Sequence, residues 1–387
     1  MAQQLRVLHV IGGGEYGGAE EYLVQLFTHL RAASYPVNLH LACFYEAQLS
    51  QELRERGFSL TVLPFGRLDV RLWRGLSALL ARVRPHLVHT HGVKANFFTR
   101  LAARKTAIPL ITTVHSMLRY DYPNPLAYFV AAQMERRTRR WNHHFIAISR
   151  TLRDHLVAEG VPPERISVIH HGIDVQRFSP DRTYPRLRKE WGIPADAFVW
   201  GTVARFVEVK GLSVLIEAFA RVRQLEPRAH LVLIGDGPLR ERLRKQVRTL
   251  GIADAVTFTG FRRDVPNCLA NVDAYVSASF SEGLGLSVLE AMAMGLPVVC
   301  TAVGGILDFL RHGENGWLVP PRSDVALAEG MIAVMRDPVM RARFAQQAAR
   351  DVRDAFSAER MARETFQVYE QLVQAQAFGK KSMSGRR

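Results

Sequence analysis

The chain has 387 residues, 48% of them hydrophobic, and a formal net charge of +15. That is enough apolar content for two cores, yet no run is long and apolar enough to span a bilayer; the longest candidate, Gly285–Cys300, carries Glu290 in its middle. The isolated cysteines Cys43, Cys268 and Cys300 argue against a disulfide framework or a zinc cluster and fit small buried hydrophobes in a reducing cytoplasm.

The first ten residues lack a charged segment ahead of a long apolar one, so no signal peptide is expected. Short apolar runs then alternate with amphipathic stretches. The first strand is expected at Leu5–Ile11, followed by the loop Gly12-x-Gly14-x-x-Gly17 and a helix over Ala19–Leu30. Further strands are expected at Val37–Phe44, Ser59–Leu63, His86–His91, Leu110–His115, Phe145–Ser149 and Ile166–Ile169, with helices over Arg71–Arg84 and Leu126–Trp141. Polar Asp174–Tyr184, punctuated by Pro180, reads as a joint. The alternation then repeats, with strands at Val199–Ala204, His230–Gly235, Val256–Phe261, Ala274–Ala278, Val298–Thr301 and Trp317–Val319. Two closing helices follow, in "SDVALAEGMIAVMRD" and "FSAERMARETFQVYEQL".

Near-continuous apolar strands alternating with helices specify parallel sheets covered on both faces. The expected fold class is therefore α/β, with two doubly wound, Rossmann-like domains. The expected boundaries are residues 1–175 and 176–355, a closing helix over 356–377 packing back toward the first domain, and a disordered basic tail over 378–387. Ligands in such folds bind at the carboxyl ends of the strands, here in the crevice between the two sheets.

The opening glycine loop resembles an NAD-binding turn, but that turn needs an acid at the end of the second strand. Here "VNLHLACF" ends in Ala42-Cys43-Phe44, and Glu46 comes too late. Gly17 and Gly18 extend the loop and let backbone N–H groups approach an anion at a helix start. A plain strand-to-helix turn accounts for them equally well.

A second glycine loop is more informative. "FSEGLGLSVLEAMAMGLPVV" places Glu282 beside Gly283, Leu284 and Gly285, and Glu290 on the helix that follows. A carboxylate next to free backbone amides suits a polyhydroxylated ligand beside a phosphate. Ser287-x-x-Glu290 also reads as a capping box, which would leave Glu290 a purely structural role.

The Glu282-x7-Glu290 element resembles the signature of the retaining glycosyltransferases of family four, which have the two-domain GT-B fold. Other stretches agree in order: "GGAE" (Gly17–Glu20), "TVHS" (Thr113–Ser116), "VIHHGIDVQRFSP", "ARFVEVKG", "LVLIGDGP", "VTFTGF" and "VGGILDFLRHGENGWLVPP". Two departures stand out: His171-Gly172 replaces the usual Asn-Gly, and Leu307-Asp308 the more frequent Pro-Glu.

The resemblance implies a transferase that moves a sugar from a nucleotide-diphosphate donor to an acceptor with retention of configuration. Arg205 and Lys210 would pair with the diphosphate, Glu290 with the ribose, and Glu282 with the amides of Gly283–Gly285 with the donor sugar. Phe261 would lie near the base, and His115 would face the donor sugar from the N-terminal domain. Satisfied core histidines are the competing reading for His115 and, more strongly, for His89 and His91. The sequence contains no Asp-x-Asp pair, so Arg205, Lys210 and helix-end amides would neutralise the leaving diphosphate without a metal or other cofactor, the nucleotide sugar being a co-substrate. The alternatives are a nucleotide-sugar 2-epimerase of the same fold and, further off, an NAD-dependent enzyme.

Between Arg67 and Arg153 there are 16 Lys or Arg against three acids, Asp69, Asp121 and Glu135. A nucleic-acid partner would fit that charge but not Glu282 and Glu290, so none is expected. Residues 126–141 join the apolar Leu126, Phe129, Val130 and Met134 to Arg136, Arg137, Arg139 and Arg140 and end in Trp141. That pattern suits an anionic membrane surface. An ordinary amphipathic helix packed on the sheet suits it almost as well. The expectation is a cytoplasmic enzyme, peripheral at the inner face of the membrane, with a sugar, lipid-linked or otherwise anionic cell-envelope acceptor.

Overall fold

The computed structural model describes residues 4–14, 17–63, 69, 71–122, 124–182 and 184–384, with side chains to residue 376. The chain divides into two compact units, Met1–Gly172 with Ala358–Arg387, and Ile173–Ser357. The divisions therefore fall after residues 172 and 357, against the expected 175 and 355, and the final helix belongs to the first unit.

In the first unit the strands are β1 (Leu5–Ile11), β2 (Val37–Cys43), β3 (Ser59–Val62), β4 (Leu87–His91), β5 (Leu110–Val114), β6 (His144–Ala147) and β7 (Ile166–Val168). Among the described residues they form one parallel sheet, ordered β3-β2-β1-β4-β5-β6-β7. The second unit holds β8 (Phe198–Val203), β9 (Ala229–Ile234), β10 (Val256–Gly260), β11 (Ala274–Ser277), β12 (Val298–Thr301) and β13 (Trp317–Val319). Their order is β10-β9-β8-β11-β12-β13, again parallel. Strand order reverses between β1 and β4 in one sheet and between β8 and β11 in the other. In doubly wound sheets such switch points open the ligand crevice at the strands' carboxyl ends.

Side chains alternate across each strand, so each sheet needs a core on both faces. Val7 and Ile11 of β1 join Tyr22, Leu23 and Phe27 of the helix Gly18–Ala32 and Phe366 and Tyr369 of the last helix. Leu8 and Val10 instead face Leu72, Leu76 and Leu79 of the helix Leu72–Val83. In the second unit Trp200, Phe219, Leu231 and Val276 sit in one buried cluster.

Two expectations change. The last helix runs Ala358–Ser384, so residues 378–384 are helical rather than a disordered tail. The helix expected over Leu126–Trp141 is α-helical only over Pro125–Thr138 and closes in a 3-10 turn at Arg139–Trp141. Its start is set by Pro125 in the first turn and by the Asn124 side chain, which accepts from the Leu126 and Ala127 amides.

Candidate functional site

The segments after β8 and β11 are held against each other by backbone. Arg205 is exposed just past β8, a 3-10 turn spans Glu208–Lys210, and the helix Leu212–Leu225 begins at Gly211. Gly211 has φ 62°, and a Cβ there would lie 2.1 Å from the Ala278 carbonyl oxygen. Only glycine allows that approach. The Phe280 amide donates to the Val209 carbonyl at 2.7 Å, completing the contact.

This places two of the expected residues together. Lys210 Nζ donates to Glu282 Oε1 at 2.7 Å, and Ser279 Oγ donates to the same oxygen at 2.7 Å. The loop after β12 fixes the backbone of Glu282. The Gly305 amide donates to the Glu282 carbonyl at 3.1 Å, and a Cβ on Gly304 would meet that carbonyl oxygen at 2.0 Å. Among the described residues no hydrogen bond uses Glu282 Oε2, which leaves it to accept from a ligand hydroxyl.

The helix Leu286–Ala293 begins at Gly285, with φ 99° and no side-chain cap. Ser287 is therefore inside the first turn, and the capping box that competed for Glu290 is not formed. Glu290 lies half-buried in the second turn of this helix. The side chain of Leu284 is buried, so Gly283 to Gly285 can offer a ligand only backbone. Phe261 stands exposed just past β10. Arg262 beside it is held by Asp264, at 2.8 and 2.7 Å.

The first unit answers the glycine-loop question differently. The Gly17 amide, expected to be open to an anion, donates to Glu20 Oε2 at 3.0 Å. Gly18 is the first residue of the helix itself. Glu15 and Tyr16 lie outside the described residues. Glu46, the nearest acid after β2, is gripped by Arg54 at 2.7 and 3.1 Å rather than poised for a ribose.

The strand register brings the histidines together. His9 is paired with His89, His91 with Thr113, and Ile11 with His91, so period-two alternation sets His9, His89, His91 and Thr113 on one face of β1, β4 and β5. His115 follows directly. His115 Nε2 is hydrogen-bonded to His91 Nδ1 at 3.1 Å, and His91 Nε2 to His9 Nδ1 at 3.2 Å. His9 Nε2 meets the Tyr369 hydroxyl at 3.3 Å, which also meets His89 Nδ1 at 2.7 Å. His89 Nε2 ends the chain on Thr113 Oγ1 at 2.7 Å.

Burial holds His9, His115 and His171 at a pKa of about 3, and pushes His89 and His91 well below the ordinary imidazole range. These rings are neutral at physiological pH. His9, His89 and His91 also bring one ligand atom each within 4.8 Å of one another, a spacing a metal could use. All six of their ring nitrogens are engaged in the hydrogen-bonded chain. His115 Nδ1 is buried with no partner among the described residues.

Sequence reasoning passed over Ser279, Gly304, His9 and Tyr369. Ser279 has no signal beyond its place three residues before Glu282. His9 was legible in principle, because Val7, His9 and Ile11 share a face with the "HTH" of β4.

The helix Pro125–Thr138 is anchored at its far end and bare at its start. Glu135 accepts from Asn96 Nδ2 and from the fully buried Arg100 Nη1, both at 2.6 Å. Leu126 is 72% and Phe129 58% exposed, with Val130 and Tyr128 exposed beside them. This first half does not pack on the sheet as an ordinary amphipathic helix does. Arg136, Arg137 and Arg140 are exposed, whereas Arg139 is held by Glu159 and is not part of a free cationic face.

No helix among the described residues is long and apolar enough to cross a membrane. Two family profiles match in tandem, "Glycosyltransferase Family 4" over residues 16–177 and "Glycosyl transferases group 1" over residues 183–351. A D-inositol 3-phosphate glycosyltransferase of Streptomyces bingchenggensis is 26% identical over 403 residues, covering 94% of this chain and 86% of that one. A UDP-Gal:alpha-D-GlcNAc-diphosphoundecaprenol alpha-1,3-galactosyltransferase of Escherichia coli is 26% identical, covering 70% and 72%. Among solved structures, Anabaena HepE in complex with UDP and glucose superposes with a TM-score of 0.82 at 25% identity, over 95% of this chain and 100% of that one. With both sheets doubly wound and both halves matched in order, the chain belongs to the family-4, group 1 glycosyltransferases of GT-B fold.

Proposed function

We propose that this glycosyltransferase takes a nucleotide-diphosphate sugar at the switch point between β8 and β11 and transfers the sugar with retention to an acceptor bound by the N-terminal unit. The observation that carries the reading is the Lys210–Glu282 pair, a cation and a carboxylate held together by glycine-limited loops from two strands. Lys210 meets the diphosphate, with Arg205 exposed nearby in sequence and the uncapped first turns of two helices supplying amide dipoles. Glu282 Oε2 accepts from donor-sugar hydroxyls, Glu290 from the ribose, and Phe261 lies near the base.

Breaking the bond from the anomeric carbon to the diphosphate develops positive charge on the sugar and negative charge on the leaving group. Lys210 and Arg205 stabilise that leaving charge most strongly in the transition state, so their contribution falls on turnover as well as binding. No metal enters this scheme. UDP-sugars are the first donors to test, because the HepE complex contains UDP.

The acceptor is proposed to be lipid-linked, reached by peripheral binding at the inner face of an anionic membrane. The exposed Leu126, Tyr128, Phe129 and Val130, with Arg136, Arg137 and Arg140 on the same helix, support that reading. The test of the donor assignment is a thermal-shift panel of UDP-, GDP- and ADP-sugars. One class at a hundredfold excess over its Kd is expected to stabilise the fold by roughly 3 kcal/mol. No shift with any of them would refute the reading.

A further inference from the structure

Four imidazoles and two hydroxyls form an unbroken chain through the core of the first unit: Thr113, His89, Tyr369, His9, His91 and His115. A neutral imidazole has one N–H and one lone pair, and a hydroxyl has one hydrogen. Each link therefore dictates the next. If His89 Nε2 donates to Thr113, then His89 Nδ1 must accept from Tyr369, and Tyr369 from His9 Nε2. His9 Nδ1 then accepts from His91 Nε2, His91 Nδ1 accepts from His115 Nε2, and His115 Nδ1 carries a lone pair. If the Thr113 hydroxyl donates instead, every link reverses and His115 Nδ1 carries the hydrogen. With all rings neutral, these are the two states in which every link of the chain is made.

We infer that this chain is a tautomer relay, in which Tyr369 of the last helix and Thr113 of β5 are positioning residues that set the orientation and protonated nitrogen of His115. The inference rests on the reading of His115 as the donor-facing residue of the N-terminal unit. It also gives the return of the last helix to the first unit a chemical purpose, since Tyr369 bridges two rings that no bond joins directly. The buried His115 Nδ1, which has no partner among the described residues, is the open end of the chain. His171 Nδ1 is likewise buried and unpartnered, and the rings of both histidines pack edge-on against Tyr22, at 5.1 and 5.4 Å between centroids.

The test is ¹⁵N-histidine NMR of the full chain, with resonances assigned by single His→Gln variants. In the wild type, His9, His91 and His115 are expected to show one tautomer each, all of the same sense. Tyr369→Phe removes the bridging hydroxyl but keeps the ring. It is expected to turn His115 into a tautomer mixture, although His115 lies two rings away from the cut, and to lower UDP-glucose turnover on the order of tenfold with little change in KM. Thr113→Val cuts the far end and is expected to act in the same direction should Tyr369→Phe fold poorly. Unchanged His115 shifts in both variants would overturn the relay, as would one equivalent of zinc retained on His9, His89 and His91. If His115→Ala leaves turnover intact while the tautomers still respond to Tyr369→Phe, the donor-facing reading fails and the relay stands.

Discussion

Acidification from pH 7 to pH 5 is expected to destabilise the first unit steeply. His9 and His171 are at most 1% exposed, and burial holds each at a pKa of about 3. In the unfolded chain each returns to about 6.5 and takes up a proton across this window. In the folded chain neither does. The unfolded state thus binds more protons, and stability falls as pH falls. Integration between pH 7 and pH 5 gives about 2 kcal/mol per histidine, whether the folded value is 3 or 4. The two together remove about 4 kcal/mol, a large share of the roughly 5–15 kcal/mol that holds a typical domain. His89, His91 and His115 act in the same direction. Carboxylates held low by arginines, such as Asp69 and Asp264, lose their contribution only near and below pH 4, so the window isolates the histidines. Urea unfolding at pH 7, 6 and 5, followed by circular dichroism, measures the loss. His171→Asn is expected to recover about 2 kcal/mol of the difference. A fall of less than about 1 kcal/mol between pH 7 and 5 in the wild type would show that the rings protonate within the fold.

Glu282→Gln keeps the size of the side chain and removes its charge; turnover is expected to fall by orders of magnitude while nucleotide binding persists, measured by steady-state kinetics beside calorimetry. Normal turnover at saturation with lost nucleotide affinity would reverse the assigned role. Gly304→Ala places a Cβ 2.0 Å from the Glu282 carbonyl oxygen at φ 51° and is expected to cost roughly 2–4 kcal/mol in urea unfolding and to lower activity through the displaced carboxylate. For the membrane, co-sedimentation is expected with anionic but not neutral vesicles. It should be reversed by salt, and weakened by Phe129→Ser with Leu126→Ser more than by Arg139→Gln, because Arg139 is already paired. Absence from anionic vesicles at low salt would leave a soluble acceptor.

The architecture was legible because parallel strands covered on both faces read as continuous apolar runs. β1, β12 and β13 fall on their expected residues, and the other strands differ by one or two residues at one or both ends. The site was legible where chemistry is written as a local motif, as in Glu282 beside its glycines. It was not legible where pairing is made by distant backbone. Nothing near Lys210 announces that its partner is Glu282, since the contact depends on Gly211 fitting against Ala278. The capping box around Ser287 misled for a related reason. The left-handed Gly285 starts the helix two residues earlier than the Ser-x-x-Glu pattern implies. His9 and Tyr369 are 360 residues apart and meet only through register and the return of the last helix.

The central claim, that the Lys210 loop and the Glu282 loop together hold a nucleotide-diphosphate sugar, is tested most directly by isothermal titration of UDP-glucose into the wild-type chain and into Lys210→Ala. A hydrogen bond to a charged group contributes about 1.5–3 kcal/mol, so one-to-one binding weakened roughly 10- to 150-fold in the variant, with an unchanged melting temperature, is the predicted result. Equal affinity in the two proteins would contradict the account.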